Sequence, residues 1–120
     1  MNKKNKDVEV PIKQHKDSKG KHPHIIMDNV DDKHISVGLT HSPKSGKNKP
    51  NFKLKKNPLG GPKTSYVRRQ GTVDNKKQYS KSARKGKVDK EDFAKLETYS
   101  ERAKKKYLSK TTRNGKSNKK

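Results

Sequence analysis

No cysteine occurs in the 120 residues. This excludes disulfides, thiolate zinc sites, iron–sulfur centres and thiol nucleophiles, and it fits a reducing cytoplasm. Tryptophan is also absent, and the aromatic side chains are four tyrosines and two phenylalanines. Hydrophobic residues make up only 22% of the chain, against about 45–50% apolar residues in an ordinary domain. The longest apolar run is Ile25-Ile26-Met27, far short of the ~20 residues that span a bilayer. The opening MNKKNKDVEV carries lysines with no apolar stretch behind them, so it is not expected to act as a secretory signal. No membrane partner is expected.

Positive charge is what the chain has in abundance. Lysine and arginine number 34 against 12 acidic residues, a net charge of +22. Low hydrophobicity with high net charge leaves little apolar area to offset chain entropy. The expectation is a minimal core with disordered ends. The charge is also segregated: Lys33 to Val73 contains no acidic residue but eight lysines and two arginines. Arg102 to Lys120 contains nine basic residues and again no acid. Large single-sign fields point to a polyanionic partner, with nucleic acid ahead of an anionic membrane surface or a merely solvated face.

Periodicity divides the chain. Residues 1–20 read as a disordered basic arm, with Val8, Val10 and Ile12 alternating around Pro11 as a short edge strand or extended segment. His24–Met27 and His34–Thr40 read as strands of a hairpin joined by the Asx-rich turn at 28–32. In the second strand Ile35, Val37 and Leu39 share one face, and His34, Ser36, Gly38 and Thr40 the other. Phe52 and Leu54 suggest another short strand, and Ser65–Val73 a third strand candidate carrying Arg68 and Arg69 on opposite faces. The stretch from Asp74 to Lys87 reads as a basic loop. A helix is expected from Lys90 to about Leu108, with Asp89 as N-cap and Val88 and Phe93 as a hydrophobic staple. Phe93, Leu96, Ser100, Ala103 and Tyr107 form its buried stripe, with Tyr99 at the edge. Residues 109–120 read as a disordered basic tail. The domain is therefore 21–108, an α+β unit with a β-rich core and a C-terminal helix.

Gly46-Lys47 and the 57–65 segment lack the spacing of a phosphate-binding P-loop. No metal site and no cofactor is expected. His22, His24 and His41, with Thr40 as a polar partner, are candidates for acid–base work: an imidazole beside cations is kept neutral at pH 7 and can deprotonate a ribose 2′-OH. The alternative is that these rings contact phosphate or solvent only. Lys53, Lys55, Lys56, Lys63, Arg68, Arg69, Arg84, Lys85 and Lys87 are the expected nucleic-acid contacts. Tyr66, Phe52 and Tyr79 are interleaved with lysines as base-stacking candidates, while Phe93, Tyr99 and Tyr107 are assigned to the core.

The order of signals adds one further reading. His22-Pro23-His24-Ile25-Ile26 opens a strand, a later strand ends at Thr40, and Gly71-Thr72-Val73-Asp74 and Gly86–Phe93 precede the final helix. Over residues 20–108 this resembles the MazF/PemK family of toxin endoribonucleases. The resemblance implies an SH3-like β-barrel with helices, a homodimer, an acidic antitoxin partner and RNA cleavage. The family's catalytic arginine before proline is His22 here, with Lys21 adjacent, so His22 (or Lys21) and Thr40 would be the cleavage residues. Three functions stand at this point: a nucleic-acid-binding protein with RNA favoured, an endoribonuclease, and a structural ribonucleoprotein component. Whether the chain is an enzyme stays open.

Overall fold

A computed structural model of the chain describes residues 7–16, 22–44 and 50–119, with side chains as far as Lys110. Seven strands and one long helix follow in order: β1 (Asp7–Gln14), β2 (Pro23–Val30), β3 (Lys33–Thr40), β4 (Phe52–Lys53), β5 (Tyr66–Val67), β6 (Thr72–Asn75), β7 (Arg84–Asp89) and α1 (Lys90–Lys119). Every strand pairing is antiparallel, and the sheet order is β4-β5-β3-β2-β1-β7, with β6 also pairing with β3. The protein is a small α+β fold, an antiparallel sheet with one C-terminal helix.

The alternation of Val8, Val10 and Ile12 decides the place of β1. Val10 and Ile12 are buried, and β1 lies between β2 and β7 rather than at an edge. This corrects the expected disordered arm over residues 7–16; residues 1–6 and 17–20 lie outside the described residues. Pro11 is tolerated inside the sheet because β1 is opposite only β7 there, the ladder to β2 starting at Ile12–Ile25. The segment expected to be a basic loop also holds structure. Asp74 and Asn75 finish β6, Lys76–Gln78 form a 3-10 turn, and Arg84–Lys87 lie in β7.

The hairpin is tighter than its Asx-rich sequence suggested. Val30 pairs with Lys33, so only Asp31 and Asp32 make the turn, and Asp31 takes φ 55°, a left-handed conformation that aspartate tolerates better than most residues. Asp28 and Asn29 remain in the strand, opposite Ile35 and His34. A register shift between Ile26 and Asp28 leaves Met27 as the extra residue. The bulge turns Asp28 to the helix side, where Lys104 Nζ meets its carboxylate at 3.0 Å.

The sheet has two dissimilar faces. Val10, Ile12, Ile25, Val37, Leu39, Leu54, Val67 and Val88 form the apolar core with Leu96 and Tyr99 of α1. Asp89 caps the helix: its Oδ1 accepts the backbone N–H groups of Glu91 at 2.8 Å and Asp92 at 3.4 Å, an arrangement worth ~1 kcal/mol. Asp92 Oδ2 accepts the backbone N–H of Lys55 at 2.7 Å, tying the helix start to the loop after β4. The helix runs to Lys119, beyond the expected end at Leu108 and through the expected disordered tail.

Gly86 packs against this core with no room for a side chain. A Cβ there would stand 2.3 Å from Ile12 Cδ1 and 2.9 Å from the carbonyl oxygen of Pro58. Because a backbone atom blocks relief, Gly86→Ala is expected to destabilise the fold by about 1–3 kcal/mol through overpacking. Chemical denaturation of the two proteins would measure it, and an unchanged midpoint would contradict this packing.

Candidate nucleic-acid interface

A cationic groove lies between α1 and the segment joining β5 to β6. Arg102, Lys106 and Lys110 follow at i, i+4 and i+8, so helical geometry stacks them on one face. Arg69 faces them from the 68–71 segment, and Tyr99, Ala103, Tyr107 and Val73 supply apolar wall to a cavity of about 510 Å³. No carboxylate lines this groove among the described residues. The hydroxyl of Tyr107 donates to Asp31 Oδ2 at 3.0 Å, fixing the ring against the β2–β3 turn.

The expected contact residues are dispersed over several surfaces. Arg68 and Arg69 stand outside any strand, a correction to the third strand expected through Val73. The strand stops at Val67 and resumes at Thr72. The two side chains still part company: Arg69 lines the helix groove, and Arg68 lies beside Gly38. Lys53, Lys55, Lys56 and Lys63 surround a second cavity of about 420 Å³. Two of these four are engaged by carboxylates. Lys55 pairs with Glu91 and, at 3.7 Å, with Asp89; Lys56 meets Asp7 at 2.6 Å. The hydrogen bond to Glu91 raises the Lys55 pKa. Arg84, Lys85 and Lys87 are exposed on β7, at the end of the strand order.

The second face of the sheet is a buried polar layer. Tyr79 is 2% exposed, so it is no base platform, contrary to expectation. His15, His24 and His34 surround its ring at centroid distances of 4.9, 6.0 and 5.0 Å, and His15 stacks on His24 at 4.8 Å. In a chain poor in apolar residues, imidazoles and a phenol fill the volume, each keeping a polar atom satisfied. Ser36 Oγ lies 2.9 Å from His24 Nδ1 and 2.9 Å from the Tyr79 hydroxyl. His15 Nε2–H donates to Asp74 Oδ2 at 2.7 Å. His34 Nδ1–H donates to Asn29 Oδ1 at 2.5 Å, while its Nε2 accepts from Lys13 at 3.3 Å. Burial, then His15 and Arg68, lower the His24 pKa to about 4. Burial, then Lys13 and Lys76, also lower that of His34, and burial raises the Tyr79 phenol to about 12. Among the described residues no group of three or more His, Cys, Asp or Glu side chains is placed to hold a metal ion.

The acid–base candidates separate. His24 belongs to the buried layer. Thr40 is buried, and its Oγ1 accepts the Ser42 N–H at 3.1 Å. His41 is exposed, with Nδ1–H donating to the carbonyl of Thr64 at 2.9 Å. His22 is half-buried just before β2, and the His24–Gly38 register carries it to the same end of the hairpin as Thr40. Sequence reasoning missed His15 and Asp74 in the polar layer, and Arg102, Lys106 and Lys110 in the groove. The last three were marked by their four-residue spacing.

Comparison with protein-family models, with curated proteins and with solved structures finds no match to this chain. Among the described residues no helix is long and apolar enough to cross a membrane.

Proposed function

We propose that the protein binds nucleic acid, with single-stranded RNA the favoured ligand, chiefly through the phosphate backbone. One observation carries this reading: the groove of Arg69, Arg102, Lys106 and Lys110 beside Tyr107, with no carboxylate in its wall among the described residues. Cations spaced along a groove neutralise successive phosphates and release counterions. The part-exposed ring of Tyr107 at the same groove suits a base of an unpaired strand. The four groove cations alone give a slope of log K against log salt of about −2.8 for a single strand. Titrating a homopolymeric RNA at several salt concentrations tests this, and a nearly flat response would reject it.

A second reading, an endoribonuclease of the MazF/PemK type, is supported by the placement of His22 and Thr40 at one end of the hairpin. The SH3-like barrel of that reading is supported by the backbone bond from Lys87 N–H to the Pro58 carbonyl at 3.0 Å, which draws the 54–60 segment toward β7. The same RNA, incubated and resolved by length, decides it: discrete products that vanish in Thr40→Ala favour the enzyme, and intact RNA favours the binder.

A further inference from the structure

Two neighbouring strands and the residue that follows β5 bring one row onto the polar face. His24 of β2 stands opposite Gly38 of β3. Arg68 donates its backbone N–H to the Gly38 carbonyl at 3.1 Å, one step beyond the Leu39–Val67 pair. The middle of this row has no side chain. An added Cβ at Gly38 would stand 3.4 Å from His24 Nε2 and 3.8 Å from Arg68 Cδ. Glycine thus leaves a shallow notch, about one atom deep, between the His24 ring and the Cδ methylene of Arg68.

The buried end of the ring sets which nitrogen carries the proton. Ser36 Oγ bridges the Tyr79 hydroxyl and His24 Nδ1, and we assign the donors as the Tyr79 phenol to Ser36 Oγ and the Ser36 hydroxyl to His24 Nδ1. This chain gives each hydroxyl proton an acceptor, and it leaves the proton of the neutral imidazole on Nε2, at the notch. Asp74, the carboxylate that acts on His24, is held by His15 Nε2–H. We infer that the Gly38 notch binds one phosphate group, which accepts hydrogen bonds from His24 Nε2–H and from the Arg68 guanidinium. A neutral N–H and a guanidinium together provide directional donors and a single fixed charge, suited to an anionic oxygen rather than to a metal. That the occupant is a phosphate of a nucleic-acid backbone rests on the function proposed above; the affinity of the notch for phosphate does not.

Histidine-labelled full-length protein, observed by nitrogen-resolved NMR, tests the site with two probes, inorganic phosphate and single-stranded RNA. At pH 7 His24 is expected as the Nε2–H tautomer, and phosphate is expected to shift that resonance saturably. Arg68→Ala, an exposed change that leaves the row's backbone intact, is expected to weaken the phosphate effect about tenfold, the loss of one hydrogen bond to a charged group. Unchanged signals of His15 and His34, which lie in the same buried layer, report that the fold of the free variant survives. The Nδ1–H tautomer, or a phosphate effect untouched by Arg68→Ala, overturns the notch. If RNA binds while His24 stays unmoved by either probe, the notch falls and the RNA reading stands. If phosphate moves His24 but RNA does not bind, the notch stands and the RNA reading falls.

Discussion

Replacing Arg102 and Lys106 together by glutamine is expected to weaken single-stranded RNA binding about 25-fold at 0.1 M salt. Each phosphate contact on a single strand contributes about 0.7 to the slope of log K against log salt. Loss of two contacts lowers the slope by about 1.4, which at 0.1 M is a factor of about 25. Both side chains are exposed on α1 and both line the groove, so the substitutions leave the apolar core intact. Lys55→Gln with Lys56→Gln serves as the comparison. Those ammonium groups already face Glu91, Asp89 and Asp7, so part of their charge is neutralised before RNA arrives. A smaller loss is expected from that pair. Equal losses from the two pairs, or a groove variant with an unchanged salt slope, would remove the groove from its central place.

Acid is expected to undo the fold well above the range in which its carboxylates protonate. His24 titrates at about 4 in the folded protein against 6.5 in the reference state. The unfolded chain therefore binds the proton first. Stability from this residue is complete above pH 6.5 and declines as pH falls toward 4, by about 3 kcal/mol in all at about 1.36 kcal/mol per pH unit. His34, also lowered, acts in the same direction. The carboxylates act in a separate window. The hydrogen bond from Lys104 holds Asp28 below its ordinary 3.8. At Asp89 desolvation pushes upward, but the Glu91 and Asp92 N–H bonds and Lys55 outweigh it. Their contributions are lost only as pH falls below about 4. Urea midpoints measured at pH 7.5, 6, 5 and 4.5 should fall steadily, and His24→Gln should flatten the trend. Identical midpoints at pH 7.5 and 4.5 would show that His24 is not buried neutral.

Much of the helix could be read from the chain. Asp89 as cap and Leu96 and Tyr99 as buried residues follow from side-chain chemistry within one turn of their own backbone. The same holds for β3, whose alternation is unbroken from Ile35 to Leu39. What escaped notice depends on distant partners. Val10 and Ile12 look like a marginal edge segment until Val88 and Gly86 are placed beside them. Lys85 and Lys87 look like loop residues because only the inward positions of β7 are apolar or small. Asp28 and Asn29 read as turn formers, although the bulge at Met27 keeps them in the ladder. The polar layer was the least legible. Histidine, serine and tyrosine carry no hydrophobic signature, and their burial arises only when His15, Ser36 and Tyr79 meet across three segments.

The pairing of Asp7–Ile12 with Arg84–Asp89 has a consequence for biogenesis. Among the described strands β1 is made first, and it acquires its second neighbour only when β7 has been made. Until then β1 presents an open edge on a strongly cationic nascent chain, close to ribosomal RNA. Contacts between such remote segments also slow the folding search. Synthesis halted before Arg84 would yield a fragment whose first strand has one flank bare.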